Sequence, residues 1–131
     1  MHTYHGSCHC GAIRYEVELD LHRVTRCTCS ICRKKGALLA RADPQRLRIL
    51  QGEEHMQLYQ FNQMIARHYF CPTCGIHTFG NPRAAPHLFV VNVNTLDDYD
   101  LDAEQPEIRV FDGRNWETAI GEHRFDDAPR R

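Results

Sequence analysis

Apolar and charged residues alternate most regularly over 12–19, where Ile13, Tyr15, Val17 and Leu19 are interleaved with Arg14, Glu16 and Glu18. A period of two marks a strand with one buried face. Residues 24–27 read as a continuation of that sheet, and Ser30 as the cap of a short helical turn over 31–35 that stops at Gly36. The apolar runs 38–42 and 47–50 read as strands, separated by the Asp43-Pro44 turn, and Gly52 stops the second. A weaker alternation gives a strand over 55–61, though Gln60 breaks it. Segments 66–71 and 78–80 flank a turn, 81–86 is a Pro-containing loop, and 87–93 is the most apolar stretch and the natural central strand. Residues 97–107 are acidic and contain Pro106, which predicts an exposed loop, and 108–111 completes the set of strands. Many short strands, turn residues between them and little helix predict an all-β fold. No linker, repeat or low-complexity segment divides the chain, so a single domain is expected over 1–125, followed by a frayed tail at 126–131.

Composition sharpens this reading. With 131 residues the core is modest, and small domains gain from added crosslinks. The net charge of -1, without interleaved aromatic and basic residues, argues against a nucleic-acid partner. No apolar run approaches the roughly 18–20 residues of a membrane span, and Met1 to Gly6 lacks the apolar stretch of a secretion signal. A cytoplasmic protein without a membrane partner is the expectation.

The seven cysteines are the unusual feature. An odd number in a chain without an export signal argues against disulfides. They fall into three clusters: Cys8-x-Cys10, Cys27-x-Cys29-x-x-Cys32 and Cys71-x-x-Cys74. Close spacing on a turn lets two sulfurs face one ion, and the glycines after Cys10 and Cys74 suit turns whose N–H groups point at thiolates. Inert core cysteines have no reason to cluster in this way, and the spacing matches neither common ferredoxin pattern. Tetrahedral zinc takes four protein ligands in a closed structural site and three in an open catalytic one. The cluster sizes therefore suggest Cys8, Cys10, Cys71 and Cys74 around one Zn2+ and Cys27, Cys29 and Cys32 around a second. A structural zinc supplies about 10–16 kcal/mol, as much as the whole stability of a typical domain at about 5–15 kcal/mol.

The segments Gly6-Ser7-Cys8-His9-Cys10-Gly11-Ala12-Ile13-Arg14-Tyr15-Glu16-Val17, Cys27-Thr28-Cys29-Ser30-Ile31-Cys32-Arg33-Lys34 and Phe70-Cys71-Pro72-Thr73-Cys74-Gly75 resemble the three motifs of the glutathione-dependent formaldehyde-activating enzyme family, to which centromere protein V is related. The region 92–98 and Trp116 are similar to the family's C-terminal part. The resemblance spans roughly residues 5–117 and departs at none of the cysteines. It implies a β-tent of small antiparallel sheets held by structural zinc. It also implies a labile catalytic zinc on the triplet, and carbon–sulfur lyase chemistry joining a small thiol such as glutathione to formaldehyde as S-hydroxymethylglutathione.

On this reading an incoming thiol at the triplet's vacant position is deprotonated by the metal. Arg23, Arg26, Arg33, Lys34 and Lys35 crowd the triplet in sequence and would offset its negative charge or form a solvated basic face. His9 and His77 are candidate proton carriers or surface histidines. Tyr99, Phe111 and Trp116 are pocket or core aromatics, and Asp97 and Asp98 turn residues. The competing reading is a non-catalytic, zinc-stabilised protein-interaction module. A protein ligand in the triplet's fourth position would favour it.

Overall fold

The computed structural model describes residues 1–123, so the expected tail at 126–131 lies outside the described residues. The alternating segment forms β2 (Arg14–Leu19), between β1 (His2–Ser7) and β5 (Leu47–Gln51) in a three-stranded sheet. Both pairings are antiparallel, with His2 opposite Leu19 and Ser7 opposite Arg14 in the first. A seven-stranded sheet holds the other strands: β3 (Arg23–Cys27), β4 (Leu39–Ala42), β6 (Gln57–Tyr59), β7 (Arg67–Phe70), β8 (His77–Asn81), β9 (Phe89–Asn92) and β10 (Glu107–Phe111). Their order is β10-β3-β4-β9-β8-β7-β6, which places β9 centrally, as its apolar sequence predicts. Neighbours run antiparallel except β10, which joins β3 in parallel with Phe111 opposite Cys27. Three short helices complete the described chain: α1 (Ser30–Lys35), α2 (Leu101–Glu104) and α3 (Trp116–His123). No helix among the described residues is long and apolar enough to cross a membrane.

The inward positions of both sheets share one core. Tyr15, Val17 and Leu19 of β2 meet Val24, Ala40, Phe79 and Val91 of the larger sheet. The Tyr15 ring is fully buried edge-on against Phe79, with centroids 5.2 Å apart. Its hydroxyl satisfies itself by donating to Thr95 Oγ1 at 2.5 Å, while Thr95 donates onward to the Asn92 carbonyl at 2.8 Å. Gly6 makes room for the ring, because a Cβ there would lie 2.3 Å from a Tyr15 ring carbon.

Local differences from the sequence reading have identifiable causes. β1 carries no alternation, because His2, Thr3 and His5 are exposed on both faces and only Gly6 is buried; it is fixed by pairing, by the His5 N–H donating to Asp98, and by Ser7 Oγ donating to Asp97 at 2.8 Å. Segment 24–27 joins the other sheet, not that of β2. The cap of α1 is Cys29 instead of Ser30: its Sγ accepts the Cys32 N–H at 3.4 Å. The strand expected over 55–61 shrinks to three exposed residues after a 3-10 turn, and the acidic loop 97–107 contains α2, capped by Asp100.

Candidate metal centre and cleft

Two turns meet at the four-cysteine cluster. In the turn after β1, Cys8 N–H donates to the Ile13 carbonyl, Gly11 N–H to the Cys8 carbonyl, and Ile13 N–H to Cys8 Sγ at 3.3 Å. Gly11 closes this turn at φ 82°, and Gly75 closes the second at φ 79°, its N–H donating to the Cys71 carbonyl at 2.7 Å. The four Sγ atoms lie within 4.8 Å of one another, with Cys8–Cys10 at 3.7 Å and Cys10–Cys71 at 3.6 Å. Zinc–sulfur bonds of about 2.3 Å in a tetrahedron put sulfurs about 3.8 Å apart, so the donor set and its spacing fit that ion. Cys8 and Cys71 are buried beside Ile13, away from competing water. Burial pushes the Cys74 thiol up, but the N–H groups of Cys10 and Ile76 together with hydrogen bonds from the Cys71 and Cys8 thiols outweigh it and hold the thiol down to about 6.

The triplet is built where β3 runs into α1. Cys27 ends the strand, Cys29 caps the helix and Cys32 lies buried in its first turn. Their sulfurs lie within 4.8 Å of one another, and no fourth His, Cys, Asp or Glu joins them among the described residues. Hydrogen bonds from the Cys27 and Cys32 thiols and from the Cys32 and Ile31 N–H groups pull Cys29 far below the usual thiol range, while Cys27 and Cys32 are pushed up. The 3-10 turn Gly113–Asn115 after β10 covers this cluster. Thr28 Oγ1 donates to Asp112 at 2.7 Å and accepts the Arg114 N–H at 3.3 Å. Gly113 sits so close that a Cβ would lie 2.4 Å from Cys27 Sγ and 2.8 Å from Cys29 Cβ.

The triplet faces a cleft of about 400 Å³. Arg33, Lys35, Arg41, Arg67, Arg83 and Arg114 line it, and among the described residues no Asp or Glu does. Arg83 lies 3.7 Å over the Trp116 ring and pairs with Glu117 outside the lining at 3.0 Å. His68 and His77 form part of the wall. His77 donates Nδ1–H to the Tyr69 carbonyl at 3.0 Å, and Lys35 Nζ donates to His68 Nδ1 at 3.2 Å. Burial first, then the Lys35 charge, lowers both imidazoles, His68 to about 4 and His77 to about 3.

Residues 3–114 match the family described as glutathione-dependent formaldehyde-activating enzyme. The chain belongs to this family. A Halomonas elongata protein provisionally named as a glutathione-dependent formaldehyde-activating enzyme is 35% identical over an alignment of 79 residues that covers 53% of this chain and 50% of that protein. The match thus spans about half the length of that curated relative. The crystal structure of a Rhodobacter sphaeroides protein is 40% identical, covers 80% of this chain and 98% of its own, and superposes with a TM-score of 0.74.

In this family member the cysteines meet as the cluster sizes imply, including Cys8 with Cys71 across the molecule. Of the basic run, Arg33 and Lys35 line the cleft, whereas Arg23, Arg26 and Lys34 do not. Phe111 and Trp116 line it; Tyr99 instead packs edge-on against Tyr4 with centroids 5.7 Å apart. His77, a sequence neighbour of Cys74, belongs to the cleft wall, while His9 is exposed on the first turn. Asp97 and Asp98 anchor β1, as turn-forming residues should. His68, Arg41, Arg67, Arg83, Arg114 and Gly113 went unmarked, since they converge on the cleft through sheet pairing and a distant turn, with no shared motif.

Proposed function

We propose that this protein is a zinc-dependent carbon–sulfur lyase acting on the adduct of a small anionic thiol with an aldehyde, of which S-hydroxymethylglutathione is the model substrate. Cys8, Cys10, Cys71 and Cys74 hold a structural zinc in this reading, and Cys27, Cys29 and Cys32 hold a catalytic one. The observation that carries it is a three-sulfur cluster that no fourth His, Cys, Asp or Glu joins among the described residues, opening into a cleft whose Lys and Arg side chains face no carboxylate in that described lining. Zinc bound at the triplet supplies a vacant position that ionises a thiol and orients its sulfur. The cleft's cationic lining draws in a peptide thiol bearing carboxylates and excludes cationic thiols. Trp116, stacked under Arg83, gives the wall an apolar face against which a peptide backbone packs.

The alternative is the interaction module. Exposed Leu58, Tyr59, Phe61, Met64 and Ile65 beside the cleft favour it, as an apolar patch suits a protein partner. Cobalt substitution separates the two. Glutathione should change the cobalt–thiolate spectrum of the triplet, and Cys29→Ser should abolish that change. A triplet spectrum unmoved by glutathione and by other small thiols would leave the interaction module as the reading.

A further inference from the structure

Lys35 is a partly buried ammonium that no carboxylate of the described residues answers. It sits three residues after Cys32 on α1, so it projects from the face of the helix that carries that sulfur. Among the described residues no Asp or Glu forms an ion pair with it, and its hydrogen-bond partner is His68 Nδ1 at 3.2 Å. The charges that bear on it favourably are those of Cys32, Cys29 and Cys27. A carboxylate partner would cancel the positive charge. A neutral imidazole accepts the hydrogen bond and leaves the charge for the cleft. Because Lys35 donates to Nδ1, the proton of neutral His68 resides on Nε2. That atom is buried and has no partner among the described residues, and the same holds for His77 Nε2, whose ring donates through Nδ1 to Tyr69. Both rings line the cleft, their centroids 6.1 Å apart. The wall therefore sets a held ammonium and an unpartnered histidine N–H beside three sulfurs.

We propose that Lys35 is the oxyanion donor of this site and that His68 is the residue that positions it. The inference rests on the lyase reading above. When a thiolate adds to an aldehyde, the S–C bond forms and the C=O π pair moves onto oxygen. Lys35 Nζ–H donates to that oxygen and transfers a proton to it, giving the neutral hydroxymethyl thioether. The proton that the thiol lost on ionising restores the ammonium, so the sum is thiol plus aldehyde giving adduct. In reverse, Lys35 takes the hydroxyl proton as the S–C bond breaks. His68 keeps Nζ in place without neutralising it.

Two measurements on the metal-loaded protein test this. The first is exchange NMR between glutathione and S-hydroxymethylglutathione, which reports the catalysed rate above the uncatalysed one. Lys35→Met should lower kcat about 100-fold with little change in KM, as loss of one oxyanion donor does. His68→Leu should follow it, whereas His68→Gln, whose side-chain oxygen can still accept from Nζ, should keep most of the rate. The second is calorimetric binding of two inert probes. Glutathione sulfonate carries oxygens on sulfur near the site of the adduct oxyanion, and S-methylglutathione carries none. Both share the peptide carboxylates, so general charge steering cancels in the comparison. Lys35→Met should weaken the sulfonate about tenfold more than the S-methyl probe, as loss of a charge-assisted hydrogen bond requires, and Lys35→Arg should restore the difference. Equal weakening of both probes would make Lys35 a carboxylate contact and overturn the proposal alone. An active wild type with unimpaired Lys35→Met would do the same. A wild type that neither speeds exchange nor binds either probe would remove the lyase reading and this inference with it.

Discussion

Gly113→Ala should damage the triplet while sparing the fold. The added Cβ would lie 2.4 Å from Cys27 Sγ, 2.8 Å from Cys29 Cβ and 3.0 Å from the Cys29 backbone nitrogen. Heavy atoms settle at about 3.5–4.0 Å, so the turn and the cysteines must separate by about 1–1.5 Å. Cys27 Sγ could swing aside about one torsion only by leaving the sulfur cluster, Cys29 Cβ and N move only with the backbone, and the turn is tied down by the Thr28–Asp112 and Thr28–Arg114 hydrogen bonds. Forcing one carbon into such a contact costs about 1–3 kcal/mol. If that cost falls on the metal-bound arrangement, affinity at the triplet drops by about 5–150-fold. The four-cysteine cluster shares no residue with this contact and serves as an internal reference. Titrating apoprotein with cobalt and following the thiolate charge-transfer absorption should give an unchanged first equivalent and a weakened second one. Two equivalents bound as tightly as in the wild type would refute the steric argument, and loss of the first as well would show that Gly113 matters to the whole fold.

Cys71→Ser should leave little soluble protein, whereas Cys29→Ser should give a folded domain with one zinc by elemental analysis; equal loss of folding would count against distinct roles for the clusters. Gly6→Ala should lower stability by about 1–3 kcal/mol, read by thermal melting, because its Cβ meets the buried Tyr15 ring at 2.3 Å. His68 and His77 titrate near 4 and 3 in the folded chain, below the ordinary histidine value of 6.5. The unfolded chain therefore binds more protons as pH falls below 6.5, so their contribution to stability is intact above that pH and is lost on the way down to about 3–4. Their imidazole NMR signals should stay fixed from about pH 8 to about pH 5, and movement in that window would mean the cleft wall is wetter than it looks.

Period-two alternation made β2 legible, because one face of that strand is wholly buried and the other faces water. The same signal is silent for β1, where only Gly6 is buried, and for β8, where all five residues are buried. Cysteine spacing showed the three clusters, since thiols two or three positions apart share a turn, and the cluster sizes suggested which two of them would meet. What spacing cannot carry is whatever reaches the site through pairing: Phe111 comes beside Cys27 through the parallel match of β10 with β3, and His68 sits opposite Gly80 in the β7–β8 ladder. Basic character near the triplet was visible, but which cations face it was not. That choice depends on the helical period of α1, which puts Lys35 on the cleft side and Lys34 away from it.

The parallel closure by β10 also sets a clock. Thr28 and its partner Asp112 are 84 positions apart. At ribosomal speeds of about 5–20 residues per second, a gap of that size takes about 4–17 s to make. For that interval the three thiols at 27, 29 and 32 exist without the turn that roofs them. The earlier of the two cysteine groups to be synthesised whole is thus the last to be sheltered, and whatever could reach its sulfurs is set by what the surroundings hold during those seconds.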